Sequence, residues 1–486
     1  MPVVTLQSQD NMTEKVRNEN HWRHAAILLF VCLTVIVLVT FLDYGLTWDE
    51  EFQKSYGEHL LSWYFSGFRD TQALSFGNSY LYGGFFEILA QLAARISPLE
   101  LYETRHFVTA AFGLLAIVCT YWIGANISNP AGGVFSALFL ALTPVFYGHL
   151  FNNPKDIPFA ALFTLALYFI IRSYDEIPRI RKELLVKTGI AIGLCMGVRI
   201  GGVFLAALMV LLWCWGAAQS ARTEQGLRFL LPAVREITVR IGLTLIIAWV
   251  VMLLFWPWAI QSPILNPLTA LKAAANFTWG GLDFFQGEQI AATDLPWSYL
   301  PTWLSISLPE FYFVSLIAGL IYAIRKVRTK GFNVIFGTRS SKALLLLLAF
   351  LFPILSAIVL GSTLYDGMRQ FLFIIPPLAV VAGIGFERTI RTVRTRFLKY
   401  TVLGLTSIFI LLTIIDEVRL HPYESVYFNR LIAGGLPRAG MQFETDYWGN
   451  SYKEGVEWVI KNYPPTGPDK IKVANCSTEF LTGYFI

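Results

Sequence analysis

Asp49, Glu50 and Glu51 stand in a row just past an apolar run, residues 25–42, in the stretch Asp43-Tyr44-Gly45-Leu46-Thr47-Trp48-Asp49-Glu50-Glu51. A carboxylate this close to a bilayer is costly to desolvate, so it either faces water or serves chemistry. A second acidic loop, Asn152-Asn153-Pro154-Lys155-Asp156, also lies between two apolar runs. If both loops fall on one side of a membrane, they fit an enzyme with a two-carboxylate site. Each motif also has a plainer reading. Asp49 can cap a helix whose first turn holds Glu50 and Glu51, where negative charge meets the helix dipole. Asn-Pro-Lys-Asp is a good turn into a helix.

The elements that must carry these loops follow from composition. Of the 486 residues 55% are hydrophobic, and mean hydropathy is +0.53. A soluble domain is nearer 45–50% apolar. The apolar residues gather into runs of roughly 17–21, which is bilayer length for a helix. The fold class is therefore an all-α polytopic membrane protein. A net charge of +5 does not point to nucleic acid, because the basic residues are spread over loops between runs. Cys32, Cys119, Cys195 and Cys214 fall inside apolar runs as small hydrophobes, and Cys476 stands alone. They show no disulfide framework and no metal-binding spacing. Residues 1–23 read as a polar cytoplasmic tail, and the next run as an uncleaved first span.

Eleven spans are expected, near 25–42, 103–126, 131–149, 157–172, 186–200, 202–217, 238–256, 303–324, 343–361, 370–386 and 400–415. Gly201-Gly202 breaks what would otherwise be an overlong helix. The loops alternate in charge. Segments 172–187, 219–240, 325–342 and 387–399 are rich in Arg and Lys. With the basic N-terminus they are cytoplasmic under the positive-inside rule. Loops 43–102, 149–156, 257–302 and 362–369, and the tail from 416, then lie outside, so both acidic loops share the outer face. Stretches 50–66 and 79–96 are amphipathic and read as surface helices rather than spans. In the second, Glu87, Gln91 and Arg95 oppose Phe85, Ile88, Leu89, Leu92 and Ile96. The division is thus a tail at 1–23, a transmembrane domain at 24–415 and an outer segment at 416–486. In that segment 451–462 reads as a helix and 470–474 as a strand.

Several motifs together carry a family resemblance. They are Asp49-Glu50 after the first span, Glu103-Thr-Arg105-His-Phe107 opening the second, and Asn153-Pro154-Lys155-Asp156 before the fourth. Tyr365-Asp366-Gly367-Met368-Arg369 with Pro376-Pro377, His421-Pro-Tyr-Glu-Ser-Val-Tyr-Phe-Asn429 and Asp446-Tyr-Trp-Gly449 add to them. Over roughly residues 25–450 the chain resembles the GT-C glycosyltransferases. Within these it looks like the family 39-like enzymes, which include protein O-mannosyltransferases and lipid A aminoarabinose transferases.

The resemblance implies transfer of a sugar from a polyprenyl phosphate carrier to a protein, lipid or glycan acceptor. The site would face the outside of what is expected to be a bacterial inner membrane. A carboxylate would take the acceptor proton, and cations would neutralise the leaving phosphate. By position Asp49 matches the family's catalytic carboxylate, with Glu50 and Asp156 beside it. Arg369, Arg199 and Lys155 are the candidates for the carrier phosphate. Snorkelling to headgroups would also explain the two arginines. The histidines have no ligand spacing, whereas a divalent ion, Mg²⁺ or Mn²⁺, bridging Asp49 and Asp156 would suit their chemistry. Trp258, Trp279, Phe284, Phe285 and Trp297 form an aromatic belt or a surface for stacking sugars. The rival reading is a transporter or flippase of lipid-linked sugars. Against it, the chain has no evident internal repeat and its polar candidates gather at one face.

Overall fold

The computed structural model describes residues 3–223, 227–464, 474–476 and 478–485, without side chains for 3–18 and 221–230. The helices in chain order are α1 (Val3–Thr40), α2 (Trp48–Phe65), α3 (Phe85–Ile96), α4 (Leu101–Ile127), α5 (Pro130–Ala141), α6 (Pro144–Gly148) and α7 (Asp156–Ser173). There follow α8 (Lys182–Met196), α9 (Val203–Thr223), α10 (Leu227–Leu254), α11 (Pro257–Gln261) and α12 (Leu265–Ala275). An antiparallel hairpin, β1 (Leu282–Phe285) and β2 (Glu288–Ala291), interrupts the helices. The chain continues with α13 (Tyr299–Ser307), α14 (Glu310–Lys330), α15 (Thr338–Leu360), α16 (Ile375–Thr392) and α17 (Arg396–Leu420), then α18 (Leu436–Ala439), α19 (Tyr452–Asn462) and α20 (Phe480–Gly483).

Every expected span is helical, but not every one is a full span. Among the described residues eight helices are long and apolar enough to cross a membrane, or nine if the bent pair α13–α14 counts as one. The other expected spans are shorter for visible reasons. Run 131–149 is split into α5 and α6 at Pro144, and α8 has only 15 residues. The α13–α14 pair turns by 103° just before Glu310, where Pro309 forbids a continuous helix. The break at Gly201-Gly202 is present, between α8 and α9.

Two buried clusters make the core. One joins α1, α4, α5, α13, α14 and α16 and takes in Phe285, Tyr427, Phe428 and Phe443. The other joins α7, α8, α9 and α10. Close approach depends on glycine at the α5–α16 crossing. A Cβ on Gly383 would sit 2.4 Å from the Ser136 backbone nitrogen. Residues 421–450 share the first core, so this part of the C-terminal segment is woven into the bundle. Helix α19 occupies the expected 451–462, and the expected strand at 470–474 lies, save for Ala474, outside the described residues.

Contacts segregate by charge. The basic segments meet at one end: Lys342 bonds Asp175 at 2.5 Å and Asn126 at 2.8 Å, and Arg240 donates to the Ile180 carbonyl at 3.1 Å. The acidic loops meet at the other. Thr47 Oγ1 donates to the Asn152 carbonyl at 2.9 Å, and Gly45 N donates to Asn450 Oδ1 at 2.6 Å.

The expected surface helix 79–96 is α3, with much of its apolar face outward and Arg95 exposed beside it. Glu87 and Gln91 are buried, while Leu89, Leu92 and Ile96 are exposed. A helix beside a bilayer can turn its apolar face outward, and its polar face then needs partners within the protein. Arg105 supplies one, 2.5 Å from Glu87 and fully buried.

Candidate active site

Helix α2 aims Asp49. Thr47 and Glu50 form a capping box in which Glu50 Oε2 accepts from Thr47 N at 2.8 Å. The other Glu50 oxygen faces His106 Nε2 at 2.9 Å, and Glu50 is only 1% exposed. Glu50 therefore does not sit with Asp49, as its place among the catalytic candidates required. It turns into the protein and fixes the helix start. Glu51 bonds the Tyr102 hydroxyl, so adjoining turns of α4 grip adjoining residues of α2.

The Asp49 carboxylate meets Arg369. Nη1 of Arg369 lies 3.0 Å from Asp49 Oδ2 and 4.0 Å from Asp156 Oδ2, and Nη2 lies 2.7 Å from Asp366 Oδ2. Asp156 Oδ1 lies 2.5 Å from Arg199 Nη2. Asp156 is fixed from behind by Asn153, which donates to Oδ2 at 3.1 Å and accepts from the Asp156 backbone at 2.9 Å. Lys155 Nζ stands 4.4 Å from the centre of the Tyr82 ring. Five of the six sequence candidates, Asp49, Asp156, Arg369, Arg199 and Lys155, thus share one site, and Glu50 is its support.

Accessibility separates them. The Asp49 side chain is 33% exposed, against 3% for Asp156, 7% for Arg369 and 19% for Arg199. Burial pushes the Asp49 carboxyl up, but Arg369, Lys155 and Arg199 outweigh it and hold the group below the usual carboxylate range. The Asp366 carboxyl goes the other way. Burial, helped by Asp49 and Asp156, holds it above the usual range in spite of Arg369. Two carboxylates on one guanidinium are thereby pushed apart.

Arg369 is positioned by the loop that precedes it, by Asp283 and Tyr299, and by the Trp448 turn. Asp366 (φ 56°) and Gly367 (φ 66°) both adopt left-handed backbone. Asp283 Oδ2 accepts from Asp366 N at 3.0 Å and from the Tyr299 hydroxyl at 2.7 Å, and that hydroxyl accepts from Gly367 N at 2.9 Å. The rings of Trp448 and Tyr365 cover the guanidinium at 4.4 and 5.3 Å. Trp448 is delivered by a turn in which Asp446 accepts from the backbone of Gly449, Asn450 and Ser451. Gly449 (φ 84°) adopts left-handed backbone that a side chain would strain. The motifs around Asp366 and Asp446 were legible as motifs; Asp283, Tyr299 and Tyr82 carried no local signal.

Of the loop aromatics, Trp279 stacks on Tyr365 at 4.6 Å, Trp258 packs against Tyr80, Phe285 is core, and Trp297 is 72% exposed. The donor set does not suit a metal between Asp49 and Asp156, because the Arg369 guanidinium already fills that position. Among the described residues no group of three His, Cys, Asp or Glu could hold an ion.

Residues 102–260 match the family described as dolichyl-phosphate-mannose-protein mannosyltransferase. The crystal structure of ArnT from Cupriavidus metallidurans in the apo state superposes with a TM-score of 0.53 at 14% identity, over 94% of this chain and 85% of that one. This chain has the GT-C fold. The apo oligosaccharyltransferase of Archaeoglobus fulgidus shares it, with a TM-score of 0.50 at 13% identity over 90% of this chain. The chain spans 58% of the length of that GT-C protein. No curated protein matches by sequence. The matched residues 102–260 include Asp156, Lys155 and Arg199 of the site, and the Arg105-His106 pair that grips α2 and α3.

Proposed function

We propose that the protein is a membrane glycosyltransferase that moves a sugar from a polyprenyl phosphate to an acceptor hydroxyl on the membrane face bearing Asp49. The observation that carries this reading is one cluster. An accessible, ionised Asp49 is held 3.0 Å from Arg369, beside Asp156–Arg199 and Lys155, at the end of a GT-C bundle opposite its basic segments. The positive-inside rule supports assigning that end to the extracytoplasmic side of a bacterial inner membrane.

In the reaction the acceptor oxygen bonds to the anomeric carbon. The bond from that carbon to the phosphate oxygen breaks, and the phosphate keeps the electron pair. The acceptor proton passes to the Asp49 carboxylate. Arg369 has both terminal nitrogens engaged by carboxylates, so its role here is to orient Asp49 and keep it charged. Lys155, which makes no ion pair among the described residues, and Arg199, the more exposed of the two arginines, are the groups placed to meet the carrier phosphate. Asp156 holds Arg199 in place.

The test is a reconstituted reaction. Proteoliposomes are given a polyprenyl-phosphate-linked sugar with a radiolabel in the sugar, together with membrane-extracted acceptors. Release of polyprenyl phosphate with the label bound covalently to an acceptor supports transfer. Movement of intact donor between leaflets without bond cleavage would instead show a flippase and refute the reading.

A further inference from the structure

A groove lies at the basic end of the bundle, opposite the end that bears Asp49. Helices α14 and α17 flank this groove of about 650 Å³ with the C-terminal turns of α16 as its floor. Its upper walls are apolar, with Val314, Ile317 and Ile321 on one side and Leu398, Val402 and Leu405 on the other. Ile317 is 60% exposed and Leu405 41%, so the groove opens toward the surroundings of the bundle, where the bilayer lies. Its lower rim carries Arg325, Lys326, Lys330 and Arg394.

The lining contains no carboxylate. Among the described residues none of the four rim cations forms an ion pair. Glu387 of α16 is taken by Arg388, Arg391, Ser128 and Asn129. The start of α17 adds to the positive field. Thr395 lines the groove as its N-cap without bonding by its side chain, and the first turn has no acidic residue. The backbone N–H groups of that turn thus face the rim uncompensated. Four unpaired cations around a helix start, with threonines beside them and apolar walls above, call for a ligand with a phosphate and a tail.

The length identifies the tail. From Val314 to Arg325 helix α14 rises about 16 Å. That is about half of a ~30 Å hydrocarbon core, the depth of one leaflet. We propose that this groove binds an anionic glycerophospholipid of the leaflet at the basic end. Its phosphate is held by Arg325, Lys326, Lys330 and Arg394, and an acyl chain lies along Ile317, Ile321, Val402 and Leu405. Basic pockets between spans hold anionic head groups by the same electrostatics. The site shares no residue with the proposed transferase centre and does not depend on that reading.

The test is native mass spectrometry of the full chain released from nanodiscs of phosphatidylglycerol or of phosphatidylcholine with matched acyl chains. Wild type should keep one phosphatidylglycerol through stepwise delipidation and no phosphatidylcholine. The combined variant Arg325→Gln, Lys326→Gln, Lys330→Gln and Arg394→Gln should retain it at least about tenfold less. Its thermal transition in zwitterionic detergent serves as the folding control. Ile317→Trp keeps every cation but fills the apolar wall, and should also release the lipid. Equal retention of the two lipids, or retention unchanged in the fourfold variant, overturns the proposal. So does displacement of the lipid by inorganic phosphate alone, which would make this a soluble-anion site.

Discussion

Asp49→Asn and Asp156→Asn make the most informative pair of perturbations, because the same chemical change meets opposite surroundings. At Asp49 the side chain is a third exposed, and Arg369 keeps Asp366 at 2.7 Å when the charge is lost. The cost to stability should be smaller than at Asp156, because the buried guanidinium keeps a carboxylate partner. The cost to catalysis should be large, since an amide cannot take the acceptor proton: roughly 10²–10⁴-fold in kcat. At Asp156 the side chain is 3% exposed and stands 2.5 Å from Arg199. Removing one partner of a buried pair costs about 3–5 kcal/mol, and the lower figure applies because Arg199 can still turn toward solvent. Thermal unfolding in detergent, beside initial rates of sugar transfer at equal folded protein, reads both effects. Asp49→Asn should be inactive and closer to wild type in stability than Asp156→Asn. If Asp49→Asn retains activity within about threefold of wild type, proton transfer to this carboxylate is wrong and Asp49 only pairs Arg369 and meets the helix dipole.

Arg369→Lys, with one ammonium for two nitrogen contacts, should lose either the Asp49 or the Asp366 pairing. Both activity and thermal stability should fall, and intact values for both would show that the two carboxylates need no fork between them. Lys155→Gln should raise KM for the lipid-linked donor several-fold with kcat little changed, as expected for a contact made equally in ground and transition states; an unchanged KM removes Lys155 from the phosphate site. The Glu444 carboxyl is pushed up to about 8, first by burial and then by Asp283 and Asp366. Its folded value lies above the usual ~4.3, so it stabilises fully below pH ~4.3 and that contribution is lost as pH rises through about 8. Thermal stability measured from pH 5 to 9 should decline in that window, and Glu444→Gln should flatten the decline.

The frame was legible because bilayer length and loop charge are one-dimensional signals. Alternating basic and acidic segments sufficed to bring residues 49, 156, 199 and 369 to one end. The pairings within the site were not legible, since Asp49 and Arg369 are 320 positions apart and many arrangements satisfy the same loop charges. Glu50 was grouped with Asp49 by adjacency, but consecutive helical residues point about 100° apart, so only one of them can face the site. For α3 the amphipathic period was right, but that its polar face meets a partner inside the protein, Arg105, was not legible. The spans at 131–149 and 303–324 were drawn whole because hydropathy averaged across Pro144 and Pro309.

Arg105 and His106 are neighbours on α4, and each holds a different juxtamembrane helix, Arg105 through Glu87 of α3 and His106 through Glu50 of α2. During synthesis α2 and α3 leave the ribosome before either partner exists. Their buried carboxylates therefore find these partners only once α4 has been made, and the two partners arrive together, one residue apart. The Asp49 end of α2 is completed later still, by Asn152, Arg369 and Trp448.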